Sequence, residues 1–180
     1  SALARGSRLA LEALNLWAPL AATAEPVLHI RVTDGDAPGL VHFDHEDVGA
    51  APLGHIVENR LLRRALLDGV VDRPGFRLLA PAEVTEIGHD GALARIGLDG
   101  GKTIAARLVV GADGRNSFVR RGAGINVTEW HYPQAAIVTT IVHDRPHRGV
   151  AEERFLPAGP FALLPMADDA EGRHRSSVVW

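Results

Sequence analysis

The strongest structural signal in this chain is the stretch LVVGADGRNSFVR at residues 108–120. Its first three residues, 108–110, predict a short buried strand, because consecutive aliphatic and β-branched side chains suit a sheet that is covered on both faces. Gly111 and Gly114 flank Asp113. Without a Cβ at these two glycines, the backbone can turn sharply and approach a ligand closely.

The residues that follow this turn predict the start of a helix. Asn116 or Ser117 can cap a helix that begins at Phe118 and continues to Arg121, and the free N–H groups of its first turn then face Asp113. An aspartate at the carboxyl end of a strand and beside a helix N-terminus can accept hydrogen bonds from ribose-type hydroxyl groups. An ordinary strand–turn–helix junction with a solvated aspartate explains the same pattern, so the residues alone leave both interpretations open.

The motif Gly-Ala-Asp-Gly-x-x-Ser-x-Val-Arg in this stretch resembles the second fingerprint, called the DG motif, of the single-component flavoprotein aromatic hydroxylases. In that family the motif serves both FAD and the nicotinamide electron donor. The resemblance therefore implies cofactor binding by five residues of the motif: Gly111, Asp113, Gly114, Ser117 and Arg120.

Residues 54–66 extend this resemblance. They are similar to the Val-Glu-Asn helix start of the branch of the family that hydroxylates ubiquinone precursors. Asn59 occupies the position at which related hydroxylases place an Arg or Gln that contacts the flavin or its ribityl chain, so the resemblance implies that it binds the cofactor. Asn is also a good N-cap, here for a helix over 60–68, and one side chain can serve in both ways.

The segment 134–180 is similar to the antiparallel sheet of the substrate domain in these hydroxylases. In the family the inner face of this sheet covers the flavin ring and the aromatic substrate. The resemblance implies that Leu163, Leu164 and Pro165 line the substrate site, whereas the ordinary interpretation of each residue is packing in the core.

Two motifs of the family do not occur in this stretch of sequence. There is no Gly-x-Gly-x-x-Gly fingerprint, whose helix N-terminus would hold the FAD pyrophosphate, and the later Gly-Asp motif would lie downstream of Trp180. We therefore expect an internal fragment of a flavin hydroxylase, inactive by itself and without FAD. No side chain is assigned a catalytic role, because the flavin carries the difficult step while protein groups bind, orient and exclude water.

The predicted fold class is α+β, as a fragment derived from an α/β enzyme. It combines a β-meander and helices from an FAD-binding domain with a mostly antiparallel substrate-domain sheet. The predicted division assigns residues 1–26 to a helix of the FAD domain and 27–52 to a hairpin of the substrate domain. Residues 53–125 are assigned to part of the FAD-binding domain with the DG motif, and 126–180 to part of the substrate-binding sheet.

Periodicity predicts the individual elements. It favours a helix over 7–17 that ends before Pro19, and a second helix over 58–69. The apolar face expected for the first helix comprises Ala10, Ala13, Leu14 and Trp17. Segment 136–142, apolar or Thr throughout, is expected to be a strand covered on both faces. The other predicted strands are 27–32, 40–43, 76–79, 83–89, 92–98, 103–110, 150–156, 161–166 and 176–180. Hairpin turns are predicted at 90–91 and 99–101, where Asp is followed by Gly.

Composition excludes several classes of protein. The net charge of −3 argues against a nucleic-acid-binding surface, and 46% hydrophobic residues are too many for a disordered chain. The absence of cysteine excludes disulfides and cysteine nucleophiles. No apolar run reaches the roughly 20 residues that a membrane-spanning helix needs. We expect a cytoplasmic protein, with peripheral attachment to a membrane as an extension of that expectation.

Histidines occur in two patterns that raise the question of a metal site. The loop 42–47 has suitable residue types, but the sequence shows no separated ligand to complete the set. His143 and His147 are four residues apart, but Pro146 breaks the helix that such a pair needs. We expect no bound metal.

The activity implied by the resemblance is hydroxylation of a polyprenylated phenol in ubiquinone biosynthesis, with O₂ and either NADH or NADPH. Two alternatives are a flavin hydroxylase of a soluble aromatic substrate and a cofactor-free, β-rich interaction module. The expected partners are the prenylated substrate, a membrane surface or biosynthetic complex, and a second copy of the chain. Self-association is expected because uncovered sheet edges and apolar faces favour pairing.

Overall fold

Twelve strands and four helices form along the chain in the computed structural model, which describes residues 1–180. Backbone contacts group them into two units, one comprising Ser1–Phe76 and Gln134–Trp180 and the other Arg77–Pro133. The mixture of helices and sheets confirms the predicted α+β class. None of the helices is both long enough and apolar enough to cross a membrane.

The elements follow one another in chain order as β1 (Ala2–Ala4), α1 (Arg5–Ala13), α2 (Ala18–Ala21), β2 (Glu25–Val27), β3 (His29–Asp34), β4 (Leu40–Asp44), β5 (Gly54–Ile56), α3 (Asn59–Val71), β6 (Val84–Asp90), β7 (Leu93–Leu98), β8 (Thr103–Ala106), α4 (Phe118–Gly122), β9 (Val138–His143), β10 (Val150–Leu156), β11 (Gly159–Met166) and β12 (His174–Val179). Short 3₁₀ turns follow β4 and β7.

The first unit contains two sheets. Strands β1, β5 and β2 form a small antiparallel sheet with β5 in the centre. The larger sheet has six strands in the order β4-β3-β10-β11-β12-β9. Within it β3 and β10 run parallel and all other neighbours run antiparallel, so the mostly antiparallel sheet is confirmed.

One face of the six-stranded sheet packs against the small sheet. Side chains alternate between the two faces of a strand, which places Ala151 of β10 and Met166 of β11 on the same side as Ile30 of β3. These residues pack with Val27 and Ile56 of the small sheet in a buried apolar cluster. The face of the large sheet that carries Ala151, Leu164 and Met166 is therefore the one that becomes core.

Helix α1 ends earlier than predicted. It stops at Ala13, and Asn15 then adopts a left-handed backbone conformation with φ of 59°. Because the chain turns there, most of the expected apolar face lies in solvent, namely Ala10, Ala13 and Leu14. Trp17 alone packs against the core. The single helix predicted over 7–17 is wrong, since the apolar periodicity continues across Asn15 and the backbone does not.

A second core lies among the helices and the small sheet. It consists of Leu20, Ala24, Val57 and Ala65, of which Leu20 is 1% and Val57 0% exposed. Pro19 lies in the first turn of α2, where the N–H that proline lacks is not needed. This proline therefore begins the second helix rather than ending the first.

The second unit is an antiparallel meander, β6-β7-β8, followed by α4. The predicted turns at 90–91 and 99–101 join its strands, as expected for glycine-containing hairpin loops. The strand predicted at 76–79 does not form, and three of its apolar side chains are exposed. The strand predicted over 27–32 is divided between β2 and β3.

The strand predicted at the end of the meander is also shorter than expected. Strand β8 stops at Ala106, and Leu108 and Val110 are 78% and 74% exposed. No strand pairs with residues 108–110, so the buried strand predicted there is wrong for this chain. An apolar run becomes a buried strand only where neighbouring strands satisfy its backbone and other elements cover its faces.

Strand β9 differs from its prediction in burial. It forms close to the predicted range, but it lies at the edge of the six-stranded sheet. Val138 is 68% and Val142 50% exposed. The expected cover on both faces is therefore wrong, because side chains on both faces of this strand are exposed and neither buried cluster includes any of its residues.

Candidate cofactor-binding site

The turn before α4 is organised around the carboxylate of Asp113. One oxygen, Oδ1, accepts a hydrogen bond from the hydroxyl of Ser117. The other, Oδ2, accepts from the backbone N–H groups of Phe118 at 2.6 Å and Val119 at 3.2 Å. Asp113 thus satisfies N–H groups in the first turn of the helix that would otherwise lack partners. This geometry agrees with both interpretations of Asp113, as an acceptor for ribose-type hydroxyl groups and as part of an ordinary strand–turn–helix junction.

Ser117 is the N-cap of α4. Its hydroxyl oxygen accepts from the backbone N–H of Arg120 at 2.9 Å, and its side chain is 7% exposed. Of the two caps that the sequence allows, the structure uses Ser117 and not Asn116. The Arg120 guanidinium donates to the carbonyl oxygen of Arg115 at 2.7 Å, which ties the helix back to the turn.

These contacts keep Asp113 ionised. The hydroxyl of Ser117, followed by the backbone N–H groups of Val119 and Phe118, lowers the pKa of Asp113 to about 2. Each carboxylate oxygen has more than one lone pair, so an oriented carboxylate can accept further hydrogen bonds from a ligand hydroxyl. The turn therefore presents a fixed negative charge and spare acceptor capacity.

The two glycines of the motif have different roles. Gly114 has φ of +85°, and no atom lies within 4 Å of the position that a Cβ would occupy. Gly111 instead packs against α4, where a Cβ would lie 3.0 Å from the side chain of Val119. Gly111 is therefore needed for close packing of the helix, while Gly114 provides a turn with open space beside its backbone.

Asn59 lies at the start of α3, in the first unit. It is the first residue of the helix, and the N-cap is Glu58, so the interpretation of Asn59 as N-cap is wrong. Its side-chain oxygen accepts a hydrogen bond from the hydroxyl of Ser1 at 2.6 Å. The side chain of Asn59 makes no capping hydrogen bond. Capping therefore does not compete with the cofactor contact that the family resemblance implies for this residue.

Glu58 is tied on both carboxylate oxygens. Oε2 accepts from Arg60 at 2.7 Å and Oε1 accepts from Arg175 of β12 at 3.2 Å. These two guanidinium groups, Arg60 first, hold the pKa of Glu58 below its usual value. The pair with Arg175 connects the start of α3 to the large sheet, a contact between distant sequence positions that no local pattern indicates.

The three residues expected to line substrate lie on β11 but have different surroundings. Pro165 is fully buried, and Leu164 packs against the buried cluster beneath the sheet. Only Leu163 faces an open cavity, of about 960 Å³, on the opposite face of the sheet. Leu164 and Pro165 therefore fit the interpretation as ordinary core residues, and Leu163 alone remains a candidate for contact with a ligand.

That cavity is lined mainly by polar side chains, and the sequence predicted no cofactor or substrate contact for any of them. They include Arg31, His143, Arg148, Glu152 and Ser176. These residues come from four strands and one loop, so only strand order and register bring them together. No spacing in the sequence could have revealed them as a group.

The chain matches a known protein family and known proteins in sequence. A family described as FAD binding domain matches residues 10–175. Over 180 residues the chain is 46% identical to the ubiquinone hydroxylase UbiL of Rhodospirillum rubrum, covering all of this chain and 41% of that protein. Over 181 residues it is 32% identical to the 3-demethoxyubiquinol 3-hydroxylase of Escherichia coli, covering all of this chain and 45% of that protein.

Solved structures show the same fold. A probable FAD-dependent monooxygenase of Pseudomonas aeruginosa, PqsL, has a TM-score of 0.84 and 22% identity over 99% of this chain and 50% of its own. The p-nitrophenol 4-monooxygenase PnpA of Pseudomonas putida has a TM-score of 0.78 and 16% identity over 99% of this chain and 46% of its own. The chain spans less than half the length of the curated relatives named above. The resemblance to flavin hydroxylases is confirmed, and the chain belongs to the FAD binding domain family.

Proposed function

We propose that this chain is part of an FAD-dependent monooxygenase that hydroxylates a polyprenylated phenol in ubiquinone biosynthesis, with NADH or NADPH as electron donor. The observation that carries the proposal is the 46% identity, across the whole chain, to a protein named as a ubiquinone hydroxylase. A second relative at 32% identity is likewise named as a hydroxylase of a ubiquinone precursor.

The residues of the Asp113 turn fit a dinucleotide cofactor. The carboxylate is oriented by three donors from α4 and remains ionised, which suits hydrogen bonding to ribose-type hydroxyls. Gly114 leaves open space beside its backbone for a close approach. Ser117 and Arg120 hold this arrangement through the helix cap and the bond to Arg115. In this proposal they position Asp113, and their own polar groups are largely satisfied within the turn.

In the proposed enzyme, bound FAD supplies the activation of oxygen that no amino-acid side chain provides. The residues of this chain bind and orient. Asp113 accepts from a cofactor hydroxyl, and Asn59 offers an amide whose donor group is not used in helix capping. Leu163 contributes an apolar contact on the cavity face of the sheet, where it helps to exclude water from a ring-shaped substrate.

The proposal extends to partners. Large apolar side chains are exposed on the edge strands β4 and β9: Leu40, Val41, Phe43, Val138 and Val142. Such edges support pairing with a second copy of the chain or contact with a membrane surface that holds the prenylated substrate. Light scattering at increasing concentration and flotation with vesicles test the two contacts separately.

The decisive experiment uses the full-length protein that carries this chain. We expect it to purify with bound FAD and to oxidise NADH or NADPH faster when a prenylated phenol is present, with formation of the hydroxylated product. Absence of flavin would overturn the proposal. Turnover of free phenols at the same efficiency as prenylated ones would replace the quinone precursor by a soluble aromatic substrate.

A matched pair of variants tests the cofactor site in the same protein. Asp113→Asn keeps the shape of the side chain but removes its charge, so we expect weaker FAD retention. Glu129→Gln removes one carboxylate from an exposed residue of the same unit and should retain FAD like the unmodified protein. Equal FAD affinity in the two variants would contradict the role proposed for Asp113.

A further inference from the structure

The hairpin of β3 and β4 brings together histidine and aspartate side chains that are distant in the sequence. His42 and Asp44 are two residues apart on β4, so both point to the same face of the sheet. His29 of β3 lies directly opposite Asp44 in the antiparallel register. One ligand atom from each of these three side chains lies within 4.8 Å of the others.

The distances within this group suit a metal ion. Nδ1 of His29 and Oδ2 of Asp44 are 3.3 Å apart. Two ligands that bind a tetrahedral Zn²⁺ at 2.0–2.1 Å are separated by about 3.3 Å, which follows from the tetrahedral angle. The rings of His29 and His42 have centroids 5.4 Å apart, close enough for a rotation of the exposed His42 side chain to complete a third ligand.

Two ligand atoms of this cluster, Nδ1 of His29 and Oδ2 of Asp44, make no hydrogen bond to other residues. Nδ1 of His29 is buried and has no hydrogen-bond partner, and the same is true of Nδ1 of the adjacent His45. Asp44 accepts from the backbone N–H of Glu46 at 2.9 Å through Oδ1, which orients the carboxylate and leaves Oδ2 facing His29. An outer hydrogen bond of this kind is typical of carboxylates that bind metals.

A second histidine cluster in the same unit provides a contrast. His143, His147 and His174 have ring centroids 6.2–6.5 Å apart. Both nitrogens of His143 bond to protein oxygens, and His147 and His174 are bonded to Met166 and Asp168. These rings stabilise the sheet through hydrogen bonds, whereas the β3–β4 hairpin has buried ring nitrogens without a hydrogen-bond partner.

Neighbouring charges favour a cation. Glu46 and Asp47 follow the cluster in the 3₁₀ turn and add negative charge. Arg31 lies opposite His42, but its guanidinium is directed to Glu152 at 3.6 Å.

We propose that His29, His42 and Asp44 form a binding site for a divalent transition metal of the Zn²⁺ type, with water as the fourth ligand. Imidazole and carboxylate together suit Zn²⁺ better than Mg²⁺ or Ca²⁺, which prefer oxygen ligands alone. The site joins the edge strand β4 to β3 and so stabilises the hairpin. The sequence pattern of 42–47 lacked a separated ligand, and the strand register supplies it as His29.

The test uses the full-length protein that carries this chain, without a histidine tag, freed of metal by a chelator and titrated with Zn²⁺ in a calorimeter. We expect saturable binding of one equivalent and a higher melting temperature of the chain. Co²⁺ in place of Zn²⁺ should give the strong visible absorption of a low-coordinate site. Absence of saturable binding would overturn the proposal.

Three variants locate the site. His42→Ala and Asp44→Asn should each weaken Zn²⁺ binding by more than about tenfold, since a lost ligand matters at least as much as a lost supporting bond. His131→Ala removes an exposed histidine of the other unit and should leave binding unchanged. His42 is exposed, so its loss does not disturb the core, and circular dichroism checks the fold.

Two results would show that the metal does not bind at His29, His42 and Asp44. If His174→Ala abolishes Zn²⁺ binding while His42→Ala leaves it intact, the metal binds the second cluster and the proposal is wrong. Equal weakening by His42→Ala and His131→Ala would show non-specific binding to surface histidines and would also overturn it.

Discussion

Helices α3 and α4 both begin at residues to which the family resemblance assigns cofactor binding, yet their starts are held in different ways. At α4, Ser117 caps the helix and Asp113 accepts two further backbone N–H groups, so the start is held by hydrogen bonds. At α3, the N-cap Glu58 makes no capping bond. Instead Val57, immediately before it, is fully buried, and Leu62 packs against the same cluster.

This difference separates two ways of positioning a binding residue. An apolar residue before the N-cap and another in the first turn form a hydrophobic staple, which sets the direction of the chain entering the helix. The staple leaves the polar side chains at the start of α3 available for other contacts. At the start of α4, Asp113 and Ser117 instead make hydrogen bonds within the turn. A cofactor hydroxyl can therefore bind only to carboxylate lone pairs that these hydrogen bonds leave unused.

The largest expected effect comes from weakening the staple. Val57→Ala removes two buried methyl groups and should lower the free energy of unfolding by about 2–3 kcal/mol. Urea unfolding followed by tryptophan fluorescence, to which Trp17 beside this cluster contributes, measures the change. Val71→Ala shortens a 45% exposed valine at the end of the same helix and serves as the control. Equal effects of the two variants would show that α3 is not held by this core.

The next effect in size concerns the polar start. Ser117→Ala removes the N-cap of α4 and leaves the N–H of Arg120 without its partner, which should cost about 1–2 kcal/mol. Faster hydrogen exchange at the amide of Arg120 would report the loss directly. Ser7→Ala, at an exposed position within α1, should change stability by less than about 0.5 kcal/mol. Unchanged exchange at Arg120 would contradict the capping role.

A smaller effect is the pH dependence of the same turn. The folded pKa of Asp113, about 2, lies below the ordinary value of 3.8, so its hydrogen bonds contribute fully above about pH 4 and are lost as the pH falls towards 2. An NMR titration of its carboxyl carbon should show the group still ionised at pH 3. Asp113→Asn should remove this titration step, and an observed pKa near 3.8 would show that the hydrogen bonds do not form in solution.

The smallest expected effect is that of Asn59→Ala on stability. Because Asn59 makes no capping bond, the free energy of unfolding should change by less than about 0.5 kcal/mol. In the full-length protein the same variant should weaken FAD binding if the family-based role is correct. A loss of about 1 kcal/mol or more would mean that Asn59 caps α3 in solution and that the two helix starts are more alike than the structure indicates.

The accuracy of the sequence predictions follows how local the determining interactions are. Ser117 is one of the two caps that the sequence allowed, and the hairpin turns at 90–91 and 99–101 were predicted correctly, because the hydrogen bonds of both features join residues only a few positions apart. The predicted bounds of strand β10, 150–156, are the observed ones. Burial was less predictable: the apolar run 108–110 and strand β9 were both expected inside the protein and are exposed.

In the candidate site, too, local contacts were predictable from the sequence and contacts between distant residues were not. The turn containing Asp113 and Gly114 was visible as a motif, since all of its polar contacts lie within eight residues. The link from Glu58 to Arg175 spans 117 positions, and no local pattern indicates it. Side chains alternate along a strand, so the sequence indicates that Leu163 and Leu164 lie on opposite faces of the sheet. It does not indicate which face carries the cavity, because that depends on the elements packed beneath the sheet.

By itself, the sequence determined the family, the α+β class and the motif that shapes the Asp113 turn, because each depends on residue types at short, fixed spacings. The tertiary structure alone decided which apolar segments are buried, how the start of α3 is held, and that His29 lies beside His42 and Asp44. Strand register and packing partners bring together residues from distant positions. Such contacts depend on the whole set of burial and hydrogen-bond choices along the chain, and no short segment contains them.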